Sequence, residues 1–487
     1  MCKGLCLLVV NEQVSSQSAK IQESGDKVMQ TSLNHYSQNN EIHKDIPGRK
    51  EIIGYGLGDF GYVLIWTLVA SFLTYFYTDV AGIAAGAVGT LMLFVRLWDG
   101  VSDIGMGILV DRTNSKHGKA RPYLIWMPIP LAITTVFLFT VPDVGMTGKI
   151  TYAAITYSLF ILLYTAVSIP FKTLLGMMTQ EQHTRSMIGI VGAFFIQSSA
   201  LLVNMITEPM ASGIGGQLGW VMTGTLFGVL AVVTLYITFR TTKERVGFVP
   251  TAKQEEKVKL SSGVKALFKN KYWMIITLFC ISYYTLLGFV GAELYFAKYI
   301  LGNASYFSII SLVKAVPGIL AIFFMAPIVK KIGKRNMVLI GILSIILSTF
   351  IKYLDPTSLN YFLIGSAFNG FGKGIFGAML YALINDTVEY GEWKSKVRTG
   401  GLVNSAASFG MKVGTGLGTA IVGWLLAFGG YVGNLSQQSD TALQMILYLN
   451  IHIPFLIAII MFLLMWLYKL DKIYPQIVEE LQRRKNE

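Results

Sequence analysis

Long apolar runs that are almost free of charge decide what this chain can fold into. Leu, Ile, Val, Phe, Gly and Met fill one stretch after another of about 18 residues or more, the length a helix needs to cross a hydrocarbon core of about 30 Å. Lipid offers no water to open backbone groups, so each stretch must be a helix or a strand of a closed barrel. Barrel strands are shorter and alternate in polarity, whereas these runs are uniformly apolar. The reading is an all-α polytopic membrane protein. Only 14% of the 487 residues are charged, against roughly 25% in soluble chains, so the soluble classes drop out.

Twelve spans are expected near 52–78, 86–110, 122–141, 149–178, 187–211, 218–240, 272–300, 304–329, 336–354, 359–388, 399–429 and 442–468. Basic residues gather in alternate loops: Arg112 to Arg121, Arg240 to Lys271, Lys330 to Arg335, and Lys394 to Arg398. The other loops hold Lys149, with Lys298 and Lys352 near the edges of two more. Cytoplasmic loops are enriched in Lys and Arg, so both termini are expected in the cytoplasm of a cell-membrane protein. The net charge of +13 is read as this topology signal and not as nucleic-acid binding. The expected division is a disordered cytoplasmic tail over 1–48, a six-helix half over 49–240, a basic cytoplasmic loop over 241–271, a second six-helix half over 272–468, and a cytoplasmic tail over 469–487. Six plus six spans around a long central loop is the layout of the major facilitator fold, although no repeat between the halves is visible in the residues. The apolar stretch Leu5 to Val10 is too short for a signal-peptide core, and Met29 is an alternative start. Three cysteines, Cys2, Cys6 and Cys280, suggest neither a disulfide framework nor a metal site.

Charge inside a span is costly and marks function or pairing. The run Arg96-Leu-Trp-Asp-Gly-Val-Ser-Asp103 sets Asp99 and Asp103 four residues apart, on one helix face. Two carboxylates with hydroxyl oxygens suit Na⁺ or H⁺; the bland alternative is a pair neutralised by neighbours such as Arg96. Residues 56–61 match G-x-G-x-x-G, but a dinucleotide fingerprint needs a βαβ unit, and here the motif lies in an apolar span. Its glycines are read as helix-packing positions, with Asp59 left as an intramembrane acid. In span four Pro170 is expected to bend or open the helix, while Lys172 either faces the cavity or snorkels to the interface. Glu293, Lys373 and Lys412 are intramembrane charges that need partners or water. Tyr62, Trp66 and Tyr381 are candidates for stacking on a sugar ring.

Four stretches resemble the glycoside–pentoside–hexuronide:cation symporter family, which includes the melibiose and glucuronide carriers. They are Tyr55-Gly-Leu-Gly-Asp-Phe-Gly61; Tyr75-Phe-Tyr-Thr-Asp-Val80 with Arg96 to Asp103; His117-Gly-Lys-Ala-Arg-Pro122; and Asp386-Thr-Val-Glu-Tyr-Gly-Glu392 followed by Val397-Arg398. The resemblance implies a major facilitator fold, alternating access, and joint movement of sugar and cation. It places the cation at Asp99, Asp103 and Thr165, with Ser102 where the melibiose carrier has asparagine. It retains the family's span-eleven lysine as Lys412 and puts Ser168, Lys172 and the neighbourhood of Tyr381 at sugar-site positions; with Asp59, Tyr62 and Trp66, read from the residues themselves, these are the sugar-contact candidates, and Glu293 and Lys373 are accessory candidates. The melibiose carrier's sugar-binding acids fall at Val63 and Ser168, its tryptophans at Lys172 and Gly377, and an arginine at Ala193. Losing two acids and one arginine while gaining Lys172 makes the expected cavity more positive, which suits a hexuronide carboxylate; a neutral xyloside or β-glucoside is the other sugar reading.

The functional reading is a cation-coupled symporter for a glycoside or hexuronide. It needs no cofactor beyond a co-transported Na⁺ or H⁺ and no metal beyond Na⁺ at the cation site. Its partners are a small-molecule sugar, the coupling cation and the bilayer, with no nucleic acid, and the chain is expected to be a monomer. A symporter of the same fold for a lipid-like substrate is the rival. An embedded enzyme would need a metal or nucleophile constellation, and the five histidines form no cluster in the sequence.

Overall fold

Apolar runs become helices because a helix pairs its own backbone groups inside lipid. The structure, a computed structural model, describes residues 46–179, 181–245, 267–396, 400–433 and 435–486. The tail expected over 1–48 is outside the described residues up to 45, as are 246–266 of the basic loop and the pair Val397-Arg398. The first half comprises α1 (Arg49–Tyr75, continued by a π-turn Phe76–Val80), α2 (Ala85–Arg112), α3 (Pro128–Leu138, after a single turn Tyr123–Trp126), α4 (Met146–Met178), α5 (Gln182–Ile214) and α6 (Gly216–Thr241). The second half comprises α7 (Lys271–Gly288, running through a 3₁₀ turn Phe289–Gly291 into Ala292–Tyr299), α8 (Tyr306–Ile332), α9 (Lys334–Leu354), α10 (Leu359–Ser395), α11 (Gly400–Phe428) and α12 (Asp440–Leu447, a π-turn Tyr448–His452, then Ile453–Leu467). These twelve match the expected spans, and the fold is that of the major facilitators. Among the described residues nine helices are long and apolar enough to cross a membrane. The apolar parts of α3 and α8 are shorter, and α2 carries the charges of Arg96, Asp99 and Asp103 at its middle.

Three details add to the sequence reading. The segment expected as a C-terminal tail folds as a helix, α13 (Leu470–Asn486), and packs on α10: Trp393 Nε1 donates to Glu480 at 2.8 Å, and Tyr474 bonds Glu389. Pro170 does not interrupt α4, which runs unbroken from Met146 to Met178. Lys298 and Lys352 are turned into the protein, where Lys298 meets Asp79 and Lys352 is 4% exposed.

The glycines of span one do what packing requires. A Cβ at Gly56 would lie 2.4 Å from the Phe195 ring, and one at Gly58 2.3 Å from the Phe171 ring. Glycine therefore lets α4 and α5 close on α1.

The halves repeat each other at the turns before α3 and α9. Before α3, Gly118 (φ +100°) opens a turn whose N–H groups at Lys119, Ala120 and Arg121 donate to Glu244 at 2.8, 2.9 and 3.0 Å. Arg121 Nη2 then donates to the Phe239 carbonyl near the end of α6 at 2.8 Å. Before α9, Gly333 (φ +84°) plays the same part. Arg335 N donates to Asp471 at 2.8 Å, and its guanidinium bonds the Met465 and Trp466 carbonyls at the end of α12, each at 2.9 Å.

The halves meet chiefly through α2 on α11, α5 on α8 and the last turn of α1 on α7. The α2–α11 crossing is backbone-close, since a Cβ at Gly423 would sit 2.5 Å from the Ala85 carbonyl oxygen and 2.6 Å from Gly89 N. By contrast, α4 and α10 make their substantial contacts within their own halves.

Candidate functional site: a two-carboxylate centre between the halves

Helical spacing puts Asp99 and Asp103 on one face of α2, and α4 brings Thr165 against both. Thr165 Oγ1 lies 3.2 Å from Asp99 Oδ1 and 3.3 Å from Asp103 Oδ1, within donating reach of either. Ser102 Oγ donates to the Asp99 carbonyl at 3.0 Å and sits 3.3 Å from Thr165 Oγ1. The four residues expected to hold a cation are thus one cluster, with Asp99, Ser102 and Thr165 buried.

The cluster already holds a positive charge. Lys412 reaches across from α11 and places Nζ 3.0 Å from Asp99 Oδ1, 2.5 Å from Asp103 Oδ2 and 3.0 Å from the Asp99 carbonyl oxygen. Three acceptors match the three N–H bonds of an ammonium. Arg96 Nη1 stands 3.9 Å from Asp99 Oδ2, and its guanidinium lies 4.2 Å from the Trp66 ring centroid. Two carboxylates face two cations, so the centre is formally neutral as it stands. Gly416 lets α11 come this close, because a Cβ there would lie 2.8 Å from Arg96 Cβ.

The sugar candidates separate into groups. Asp59, 6% exposed, bonds Tyr62, and its Oδ2 fills the space over Gly192, where a Cβ would be 2.3 Å away. Ser168 is buried one turn from Thr165 on α4. Lys172, one turn further, is solvent-accessible yet within electrostatic range of Asp103, Lys412, Asp99 and Asp59. It faces the cleft and does not snorkel to the interface. Tyr381 of α10, 60% exposed, interacts with Tyr62 across the same space. A Cβ at Gly377 would meet nothing within 4 Å, so this wall is open. Trp66 already carries Arg96 and stacks on Tyr164 at 4.8 Å, so its role here is to hold Arg96 and not to present a free ring.

The accessory candidates lie elsewhere. Glu293 pairs with Lys314 of α8, and Lys373 and Lys352 lie within electrostatic range, all inside the second half. Lys314 escaped the sequence reading, although a lysine in the run Ile309 to Leu320 breaks the apolar pattern in the same way as Lys412.

A second network was also missed. Asp79, 2% exposed at the far end of α1, accepts from Lys298 Nζ (2.8 Å), Tyr299 OH (2.8 Å), Tyr431 OH (2.7 Å) and Thr78 Oγ1 (2.8 Å). Thr78 Oγ1 also lies 2.6 Å from Tyr295 OH. With Ser308 Oγ on the Met205 carbonyl at 3.1 Å, this network joins the halves at the end remote from both described termini. The cleft is therefore closed at that end, whereas Lys172 and Tyr381, toward the other end, are exposed. Among the described residues no group of three or more His, Cys, Asp or Glu could hold a metal ion, and Cys280 is a free, buried thiol.

Comparison with known proteins agrees with this architecture. Residues 54–472 match the family model described as MFS/sugar transport protein. The isoprimeverose transporter of Lactiplantibacillus pentosus is 33% identical over 474 residues, covering 94% of this chain and 98% of that protein. The putative glycoside/cation symporter YagG of Escherichia coli (strain K12) is 33% identical over 432 residues, covering 86% and 92%. Among solved structures, the nucleoside transporter NupG superposes with a TM-score of 0.58 at 16% identity, covering 87% of this chain and all of that one. A proton-dependent oligopeptide transporter gives 0.62 at 9% identity, covering 90% and 100%. At these identities the structural matches speak for the fold alone.

Proposed function

The chain belongs to the MFS/sugar transport protein family and, within it, to the glycoside–pentoside–hexuronide:cation symporters; from that membership as a sugar-type membrane transporter we propose that it couples uptake of a glycoside or hexuronide to Na⁺ or H⁺. The observation that carries this reading is the Asp99–Asp103–Thr165–Ser102 cluster with the Lys412 ammonium inside it. An ammonium hydrogen-bonded to three oxygens stands where a coupling cation would stand.

The mechanism follows from competition for that position. Two unit charges about 4 Å apart repel by roughly 4 kcal/mol at an effective dielectric of 20. A third cation therefore does not join Lys412 and Arg96 but replaces Lys412. A cation entering between Asp99 and Asp103 frees Lys412 from α2 and with it one tie between the halves. Sugar binding in the cleft near Asp59, Tyr62, Ser168, Lys172 and Tyr381 then favours the next movement. Each ligand must make the other's binding or the transition more favourable, which is what coupling means. On our reading that both termini face the cytoplasm, which the loop charges support, a cleft closed at the remote end corresponds to an inward-open state.

Relatives named for isoprimeverose, for glycosides and for glucuronide set the substrate panel. The test is uptake of labelled glycosides, isoprimeverose and glucuronides included, into vesicles under an imposed Na⁺ or H⁺ gradient. Accumulation should collapse when one of the two gradients is removed. In the Asp103→Asn variant accumulation should fall by about 100-fold or more, the loss of a close charge pair costing on the order of 3 kcal/mol. Gradient-driven accumulation by that variant at the wild-type level would remove the cation from this cluster. For a hexuronide, Lys172→Ala should weaken uptake of glucuronides and spare neutral xylosides; equal uptake of glucuronide by variant and parent would take Lys172 out of the sugar site.

A further inference from the structure

The second half encloses a charged cluster that the coupling centre does not use. Lys314 of α8, Lys352 of α9, and Glu293 and Lys373 of α7 and α10 lie within electrostatic range of one another. Among the described residues the cluster's one ion pair is Glu293 with Lys314. Lys352 and Lys373 thus leave two ammonium groups with no carboxylate of their own. Lys352 is 4% exposed, with Nζ 4.0 Å from the Phe362 ring centroid. A ring face offsets only part of the hydration an ammonium gives up on burial.

These groups border a cavity of about 20 Å³ lined in part by Glu293, Lys352, Asn369, Lys373 and Asn450. Asn369 is 8% exposed, and its Oδ1 has no hydrogen-bond partner. Turning the amide about its axis would present its NH₂ in that position instead. Glycines let two of these lysines pack close to α10. On α10, glycine at 365 admits the Lys352 stem, to which a Cβ would come within 2.7 Å, and glycine at 370 admits the Lys314 backbone, whose carbonyl oxygen would be 1.9 Å from a Cβ.

We propose that this cavity, between α7, α9, α10 and α12, is a binding site for a monatomic anion, chloride, held by the Lys352 and Lys373 ammonium groups with Asn369 as a neutral donor. Size selects the ligand: a space of about one water fits a single ion and not a sugar acid. Charge selects its sign: two unpaired ammonium groups in the protein interior favour an anion and exclude a cation. The site lies within one half, away from the Asp99–Asp103 centre, and does not depend on which cation or sugar is carried.

The test is thermal unfolding of the purified full chain in detergent, without sugar, in potassium chloride against potassium gluconate at equal concentration. Holding the cation fixed keeps the coupling centre out of the comparison. The midpoint should rise with chloride in a saturable way, by about 2 °C or more, and bromide should replace chloride. Lys352→Met and Lys373→Gln should each abolish the chloride effect, while Lys243→Met, in the loop after α6, should keep it. A wild-type midpoint indifferent to chloride overturns the proposal, even if glucuronate raises it. So does a chloride effect of full size in both folded lysine variants.

Discussion

At the scale of single residues, Lys412 carries the most information. Its ammonium, with the Arg96 guanidinium, neutralises Asp99 and Asp103 while the cleft is empty, so an unloaded carrier can change conformation without exposing bare carboxylates to a low dielectric. Replacing it by glutamine should separate two activities. Cation affinity should rise by about tenfold, because the internal competitor is gone. Net uptake should fail, because the empty carrier then returns with one negative charge that Arg96 alone does not answer, whereas exchange of labelled for unlabelled sugar should continue. Measuring counterflow beside net uptake over a cation titration checks both; equal loss of the two activities would make Lys412 a fixed structural charge. Asp99 and Asp103 were legible because four residues is one helical turn. That Lys412 faces them was not, since nothing local sets the pairing of residues more than 300 positions apart. The partners of Lys298 and Lys352 were hidden for a related reason: a lysine near the end of an apolar run can face either way, and only packing shows which.

At the scale of elements, hydropathy marked the twelve spans because each must bury its own backbone. It was blind to the repeat, because the matched features lie in short polar turns and differ in spacing: Gly118-Lys119-Ala120-Arg121 with Glu244 in one half, Gly333-Lys334-Arg335 with Asp471 in the other. It was blind too to the crossing of α2 and α11, where glycine marks backbone contact only once the partner is known. There the backbones touch at Gly89 and Gly423. Enlarging Gly423 to valine should force the helices apart, at a cost of about 1–3 kcal/mol for overpacking. Because that contact belongs to the state closed at the remote end, uptake should fall by about 5-fold to 100-fold while the folded protein persists. Gly105→Ala, which meets nothing within 4 Å, should leave uptake unchanged. Comparing initial rates at matched membrane abundance tests the contrast, and equal rates in the two variants would show that the crossing does not limit the cycle.

At the scale of the whole molecule, transport requires that the cleft close at one end before it opens at the other, so the strength of each closure sets the populations of the two states. The remote closure is concentrated at Asp79. This buried carboxylate takes four hydrogen bonds, three of them from Lys298, Tyr299 and Tyr431 of the opposite half. A charged hydrogen bond contributes about 1.5–3 kcal/mol, and every 1.4 kcal/mol is a factor of ten in a population. Asp79→Asn keeps the shape but removes the charge that Lys298 answers, so the state open at the remote end should gain about tenfold or more. Ala70, two to three turns inside that closure on α1 and beside the inter-half space bounded by Arg96 and Thr415, offers a reporter. With the native cysteines replaced and Ala70→Cys installed, a membrane-impermeant maleimide applied from the remote side should react faster in the Asp79→Asn background by a similar factor. Adding Lys298→Met should change that rate little further, because the pair is already broken. An unchanged labelling rate in Asp79→Asn would mean that the other contacts between the halves, the α2–α11 and α5–α8 packing among them, hold the remote end shut, and the Asp79 network would then be a packing feature of that end and not its latch.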